Sequence, residues 1–187
     1  ASLPMFAVVG ILAGLLGVLF NRGPLPTIQW YTRIPARFSL LAAAVTGGLV
    51  GLAGWFSPLL IGSGHALAES ALQGELVLIA IPVFFLVRFL LTVSSYGTGA
   101  PGGIFAPLLV LGALIGLAVG QIAHALWPAI APIPAAFAVV GMAAYFTAIV
   151  RAPLTGIMLI IEMTGNYHQM LPLLVSCFCA YAVAEYL

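Results

Sequence analysis

Long apolar runs separated by short polar interruptions dominate the 187-residue chain. A helix needs about 20 consecutive apolar residues to cross a bilayer. Six runs approach that length, over residues 3–20, 38–61, 76–93, 104–127, 134–161 and 168–187. The pattern predicts an all-α membrane protein with at least six passes or partial passes.

Two of the interruptions predict broken helices. Arg151-Ala152-Pro153 divides the fifth run into two short helices, because proline removes a backbone donor and arginine is costly at mid-bilayer. Residues 62–75 are too polar and too few to cross a membrane, so they predict a short amphipathic helix. Broken backbone at membrane depth is tolerated only where it is buried in protein or lines an aqueous cavity. The pattern is therefore typical of a transporter or a channel.

Composition supports the membrane assignment, since 64% of the residues are hydrophobic and only 5% are charged. A soluble domain carries about a quarter charged residues. We therefore expect a multi-pass integral protein of a plasma or inner membrane, in contact with the lipid bilayer. The net charge of +1 gives no reason to expect nucleic-acid binding. Small residues at four-residue spacing predict close helix packing; they are Gly10 and Gly14, Gly47 and Gly51, and Gly112, Gly116 and Gly120.

The first linker, the N-terminus and the two cysteines bear on membrane topology, on the extent of the chain and on redox chemistry. Residues 21–37 predict an interfacial loop with Trp30 and Tyr31 at headgroup level, and their three arginines favour the cytoplasmic side. The N-terminus has no basic leader, so we expect no signal peptide and a chain that begins inside a longer protein. Cys177 and Cys179 have no further ligand nearby and are interpreted as small apolar residues rather than a metal or redox site.

The segment from Ser94 to Pro107 carries the chemistry. It contains four glycines and two prolines in fourteen residues, directly before an apolar run, so it cannot be a spanning helix. Pro107 fits the first turn of a helix that begins near Ile104, where the missing N–H causes no loss. The start of a helix presents unpaired N–H groups and about half a positive charge, which suits an anion. A re-entrant loop that only positions its neighbours is the alternative interpretation.

The same segment resembles a known family. Gly103-Ile104-Phe105-Ala106-Pro107 is similar to the G-x-F-x-P motif of the CLC chloride channel and transporter family, and Gly99-Ala100-Pro101-Gly102 resembles its lead-in. The segments 151–156, RAPLTG, and 161–167, IEMTGNY, resemble later family segments in the same order and spacing. The resemblance extends over nearly the whole chain.

This resemblance implies a polytopic bundle of tilted, broken and re-entrant helices, built as two inverted repeats. Residues 1–187 would be a partial transmembrane domain, in which 1–22 form the last helix of the first repeat, 23–37 a linker and 38–187 the second repeat. The family layout implies that the linker lies outside, contrary to the charge rule. It also implies a homodimer that transports chloride or similar small anions and needs the absent N-terminal repeat. The anion would be held by the main chain of Gly103, Ile104, Phe105, Ala106 and Pro107.

Several family features do not occur in this sequence. The Gly-Ser-Gly-Ile-Pro and Gly-x-Glu-Gly-Pro segments are absent, and Gly62-Ser63-Gly64-His65 lacks the Ile-Pro that the first would require. Tyr186 falls too early to be the family's pore tyrosine. Since the deciding carboxylates would lie upstream, the sequence does not distinguish a passive channel from a chloride/proton antiporter, nor does it define anion selectivity.

The remaining polar residues favour structural roles. Arg151 and Glu162 need not meet, and they are expected to tie helix ends together rather than to form a proton relay. Arg88 is expected to satisfy carbonyls at a neighbouring helix end or to reach an interface, rather than to bind the transported ion. The scattered histidines indicate no metal site, and no cofactor is expected. Two other functions stand as alternatives. One is a different secondary transporter in which broken helices bind an anionic substrate; the other is an intramembrane hydrolase using Ser63 with His65 or His124. The second is disfavoured, because residues two apart on a helix point to different faces, and the chain is not expected to be an enzyme.

Overall fold

The computed structural model describes residues 3–60, 62–98, 103–128 and 133–187, with the side chains of residues 36, 37 and 39 left aside. Within these ranges the chain is helical and contains no strand. The α-helices are α1 (Leu3–Arg22), α2 (Pro24–Arg33), α3 (Ala36–Phe56), α4 (His65–Gln73), α5 (Ile81–Gly97), α6 (Phe105–Leu126), α7 (Pro134–Val150), α8 (Pro153–Thr164) and α9 (Met170–Tyr186). Short 3₁₀ turns lie at Pro58–Leu60 and Tyr167–Gln169.

Three helical segments in the described chain are long and apolar enough to cross a membrane. They are Leu3–Arg33, which comprises α1 and α2, then α6, and Tyr167–Tyr186, which ends with α9. Four further apolar helical segments are shorter, at Leu40–Phe56, Ile81–Gly97, Pro134–Val150 and Pro153–Thr164. The mixture of full-length and short apolar helices agrees with the predicted multi-pass, all-α fold with broken helices.

The core is centred on the crossing of α6 and α7, where glycines allow the two backbones to touch. A Cβ atom added to Gly112 would lie 2.6 Å from the carbonyl oxygen of Gly141, and one added to Gly120 would lie 2.6 Å from that of Pro134. Leu111 and Leu114 on α6 are fully buried beside this crossing. The predicted close packing of Gly112, Gly116 and Gly120 is therefore confirmed, and it fixes the position of α6.

A second close contact joins α1 to α9. A Cβ added to Gly14 would lie 2.7 Å from the side chain of Val183, and one added to Gly10 would meet Cys179 at 2.8 Å. The predicted packing role of this glycine pair is confirmed as well. The pair Gly47 and Gly51 behaves differently: beyond the backbone of α3 itself, no atom of the described residues lies within 4 Å of a Cβ added at either position. For these two glycines the described residues supply no close partner, so their role in helix packing stays a prediction.

The break at Arg151 follows the prediction. α7 ends at Val150 and α8 starts at Pro153, and between them Arg151 adopts a left-handed conformation with φ of 59°. The amide of Arg151 donates to the carbonyl of Thr147 at 2.8 Å, which closes the last turn of α7. Pro153 then occupies the first position of α8, where its missing N–H is tolerated. The predicted short helix in 62–75 is also present, as α4.

The predicted loop over residues 21–37 was wrong, because most of this segment is helix α2. Pro24 lies at the first turn and pre-sets a helical φ, so the prolines start the helix instead of preventing it. Tyr31 on α2 forms a hydrogen bond with Thr46 on α3. Trp30 is 60% exposed, and its place at headgroup level stays a prediction.

Candidate functional site

The first turn of α6 contains the predicted anion-binding residues. α6 begins at Phe105 after Ile104, and the amide of Leu108 donates to the carbonyl of Ile104 at 3.0 Å as the first hydrogen bond of the helix. Pro107 falls in this first turn, as the sequence predicted. The lead-in Gly99-Ala100-Pro101-Gly102 lies outside the described residues.

The start of α6 leaves backbone donors without partners inside the helix. The amides of Ile104, Phe105 and Ala106 precede Leu108, the first residue whose amide donates within the helix, and Pro107 has no N–H. α6 is 22 residues long, so its aligned peptide dipoles place about half a positive charge at this end. Three amide donors and a partial positive charge therefore meet in one turn, which is chemistry suited to an anion.

Packing against α7 holds this turn in place. The ring of Phe105 makes an edge-to-face contact with the ring of Phe146, with centroids 5.7 Å apart and an interplanar angle of 79°. Further along α6, Gly112 and Gly141 bring the backbones of α6 and α7 into close contact. Donors fixed in this way need no reorganisation when a charged ligand arrives.

A cavity of about 240 Å³ opens beside the first turn of α6. Gly103, Ile104 and Pro107 line it together with Arg88 and Thr92 of α5. Sequence reasoning did not predict that Arg88 would share a cavity with the G-x-F-x-P segment. A lone arginine in an apolar helix only indicated that the residue needed partners.

The contacts of Arg88 agree with the structural role expected for it. Nη1 donates to the carbonyl of Leu60 at 2.7 Å, and Nη2 donates to the carbonyl of Gly62 at 2.6 Å. The side chain is only 5% exposed. These bonds hold Leu60 and Gly62, which precede α4, against α5.

A second cavity, of about 270 Å³, lies next to Ala106 on α6 and is lined also by Ser63, His65 and Glu69. Ser63 and His65 flank Gly64, and no hydrogen bond joins their side chains in the described chain. The described residues therefore show no contact between Ser63 and His65 of the kind that a nucleophile and its base make. Among the described residues, no group of three potential metal ligands comes together.

Arg151 and Glu162 take the separate positions expected for them. Arg151 pairs with Glu185 on α9 at 3.3 Å and donates to the carbonyl of Ala184 at 3.1 Å, so it ties the junction of α7 and α8 to α9. Glu162 is exposed on α8. Tyr186, at the end of α9, is 90% exposed. None of these side chains lines the cavity beside Arg88.

Comparisons with known proteins give the chain its relatives. A family model described as voltage gated chloride channel matches residues 1–185. The chain is 40% identical over 191 residues to a protein named H(+)/Cl(-) exchange transporter ClcA from Vibrio parahaemolyticus, and 40% identical over 189 residues to one of that name from Klebsiella pneumoniae. Each match covers 100% of this chain and 40% of the relative, so the chain spans about 40% of the length of the curated relatives it matches.

Solved structures show the same fold. A slow cyanobacterial Cl-/H+ antiporter superimposes with a TM-score of 0.93 at 40% identity, over 99% of this chain and 44% of the antiporter chain. A eukaryotic CLC transporter gives a TM-score of 0.80 at 24% identity, over 100% of this chain and 33% of the other, and this likeness concerns the fold alone.

Proposed function

This chain belongs to the voltage-gated chloride channel family, and from that premise we propose that it forms part of a protein that transports chloride or similar small anions. The anion is held by main-chain amides at the start of α6, chiefly those of Ile104 and Phe105, with Gly103, Ala106 and Pro107 shaping the turn. Transport of this kind involves no chemical reaction and no cofactor.

The observation that carries the proposal is the position of the α6 N-terminus at a cavity that Arg88 also lines. Helix amides supply partial charges, and one helix terminus contributes up to about 2 kcal/mol to the binding of a charge when the site is partly buried. Several such donors bind an anion and still allow it to leave, which a transport site requires. No carboxylate lines this cavity among the described residues, so no fixed negative charge opposes an anion there.

Exchange of chloride for protons is the mode we propose. The names of the relatives from Vibrio and Klebsiella support exchange over a passive channel, and so does the similarity to a cyanobacterial Cl-/H+ antiporter. The residues that would carry protons are not assigned in this chain, because Glu162 lies exposed on α8 and away from the cavity.

A single chain of this length is not proposed to act alone. Because the relatives extend well beyond the matched region, we propose that a further transmembrane repeat completes the anion path. Residues 1–22 would then close the first repeat, 23–37 connect the two, and 38–187 form the second. A homodimer with one path in each subunit is the assembly that accompanies this proposal.

The test is chloride efflux from liposomes that contain the complete protein, with internal pH recorded at the same time. We expect chloride efflux that drives protons uphill. Chloride flux without proton movement would refute exchange and leave a channel. If no anion moves under any gradient, the proposal fails, and a different secondary transporter with an anionic substrate becomes the better hypothesis.

A further inference from the structure

An apolar groove of about 630 Å³ runs between α2, α3 and α5. Its volume lies in the range of roughly 300 to 1,000 Å³ that is usual for ligand sites. Aliphatic side chains make most of its wall, among them Leu41, Val45 and Leu49 of α3 and Leu90 of α5. None of the described residues that line it is charged. The groove therefore suits an apolar ligand.

Tyr31 fixes the end of the groove nearest the connection between α2 and α3. Its hydroxyl forms a hydrogen bond with that of Thr46 on α3, and both residues line the groove. A Cβ added to Gly97 of α5 would lie 3.1 Å from the Tyr31 ring. The three helices therefore meet at this tyrosine. The two hydroxyl groups satisfy each other and do not require a polar ligand.

The groove has the length of one bilayer leaflet. Its α3 wall runs from Phe38 to Leu49, which is about 16 Å at the rise of about 1.5 Å per residue of a helix. One leaflet supplies about half of a hydrocarbon core that is roughly 30 Å thick. Leu41, Val45 and Leu49 recur every four residues on one face of α3, and all three are more than half exposed in the described chain. An acyl chain laid against this face would reach from the membrane interface to the bilayer centre.

The mouth of the groove carries positive charge. Trp30 lines this end and is predicted to lie at headgroup level. Arg33 lies exposed in the last turn of α2, and Arg37 belongs to the first turn of α3. Arg33 makes no ion pair with a described residue, and the chain has no carboxylate before Glu69. An anionic headgroup at this end would supply the missing counter-charge.

A helix of the further transmembrane repeat is the alternative occupant. A helix about 16 Å long and roughly 10 Å wide would occupy about 1,250 Å³, which is about twice the volume of the groove. A helix would also leave the charge of Arg33 unanswered unless it brought a carboxylate to the mouth. A single acyl chain with a phosphate at its end answers both the shape and the charge.

We propose that this groove binds an anionic phospholipid, with one acyl chain between α2, α3 and α5 and the headgroup phosphate at Arg33. The inference goes beyond the proposed function and does not depend on which ion the protein transports. The lipid would complete the packing of α3, whose groove-facing residues are otherwise exposed in the described chain.

The first test needs no substitution and uses electron cryomicroscopy of the complete protein in nanodiscs of phosphatidylglycerol. We expect elongated density beside Val45 and Leu90, continuous with headgroup density within reach of the Arg33 guanidinium. A protein helix in the groove would overturn the proposal, and so would a groove without ordered lipid. Either result would leave the proposed chloride transport untouched, because liposome flux tests that separately.

The second test measures the charge at the mouth by native mass spectrometry of the complete protein with phosphatidylglycerol or phosphatidylcholine. Arg33→Gln should bind phosphatidylglycerol about fivefold more weakly, as for the loss of one arginine near an anionic lipid. Phosphatidylcholine, which has no net charge, should bind the variant and the parent alike. Arg151→Gln is the matched control and should bind phosphatidylglycerol as the parent does, since Arg151 pairs with Glu185 on α9, outside the groove.

A third comparison tests the place of the acyl chain. Ala42 lines the groove, whereas Ala44 is exposed on α3 outside it. Ala42→Phe should fill the groove and lower the binding of phosphatidylglycerol, and Ala44→Phe should not.

The outcomes of the binding experiments are distinct. Equal binding of the two lipids by the parent would show surrounding bilayer lipid only and would overturn the proposal. Parent-like binding by Arg33→Gln would refute the headgroup site, and parent-like binding by Ala42→Phe would refute the acyl-chain site. Should a variant fail to fold, the density in the unmodified protein still gives the answer.

Discussion

The contact between α6 and α7 at Gly116 gives a prediction that depends on backbone geometry alone. A Cβ at this position would lie 2.7 Å from the carbonyl carbon of Phe137 and 2.9 Å from the Cα of Ala138, and nearer still to the Phe137 oxygen. All three are backbone atoms, so no side chain can rotate to make room. Gly116→Ala therefore forces α6 and α7 apart at the centre of the core.

The expected change in the free energy of unfolding of Gly116→Ala combines two opposing contributions. Overpacking of a tightly packed core costs about 1 to 3 kcal/mol. Alanine in place of glycine inside a helix contributes about 0.5 to 1 kcal/mol of stabilisation. Gly48 on α3 is a matched control, because a Cβ added there meets nothing within 4 Å. The difference between Gly116→Ala and Gly48→Ala then isolates the clash, at about 1 to 3 kcal/mol.

The assay is reversible unfolding of the complete protein by sodium dodecyl sulfate in mixed micelles, followed by tryptophan fluorescence. We expect Gly116→Ala to unfold at clearly lower detergent fraction than the parent, and Gly48→Ala to unfold with the parent or slightly later. Equal stability of the two variants would refute the reasoning, because the contact with Phe137 would then have no energetic consequence.

Three further predictions follow from individual contacts. Arg151 has a left-handed backbone, which glycine adopts without strain and alanine does not. Both Arg151→Gly and Arg151→Ala lose the half-exposed ion pair with Glu185. Arg151→Gly should therefore be more stable than Arg151→Ala by about 1 kcal/mol in the same unfolding assay. Phe105→Ala should lose about 0.5 to 1.5 kcal/mol from the ring contact with Phe146 and should bind chloride more weakly by calorimetry, whereas a parent-like affinity would show that the ring does not hold the turn. Tyr31→Phe should destabilise the protein by about 1 kcal/mol, because it removes the hydrogen bond to Thr46 between α2 and α3, and an unchanged thermal midpoint would contradict this.

Features with a local cause were predictable from the sequence. Pro153 and Pro107 sit in the first turns of α8 and α6, because proline is compatible with a helix only there or at a kink. Arg88 was expected to bind carbonyls, since an arginine in an apolar helix has few other partners. The helix start near Ile104 followed from the glycines and prolines before it. The role of that turn in holding an anion stays a prediction.

Features that depend on tertiary neighbours were not predictable. Gly47 and Gly51 have the same four-residue spacing as Gly112 and Gly116, yet in the described part of the chain the second pair meets another helix and the first does not. Spacing defines a small-residue face but does not say what covers it. The shared cavity of Arg88 and the α6 N-terminus was missed for the same reason, because it requires α5 and α6 to lie side by side.

The central claim is that the first amides of α6 bind the transported anion, and the most direct measurement removes one of them. Replacement of Phe105 by its α-hydroxy analogue turns the backbone N–H into an ester oxygen and leaves the side chain unchanged, and the same replacement at Phe178 inside α9 is the control. In the complete protein we expect chloride affinity, measured by calorimetry, to fall about tenfold for the ester at Phe105, as for one charged hydrogen bond, and to stay at the parent value for the ester at Phe178. An unchanged chloride affinity with the ester at Phe105 would contradict the account.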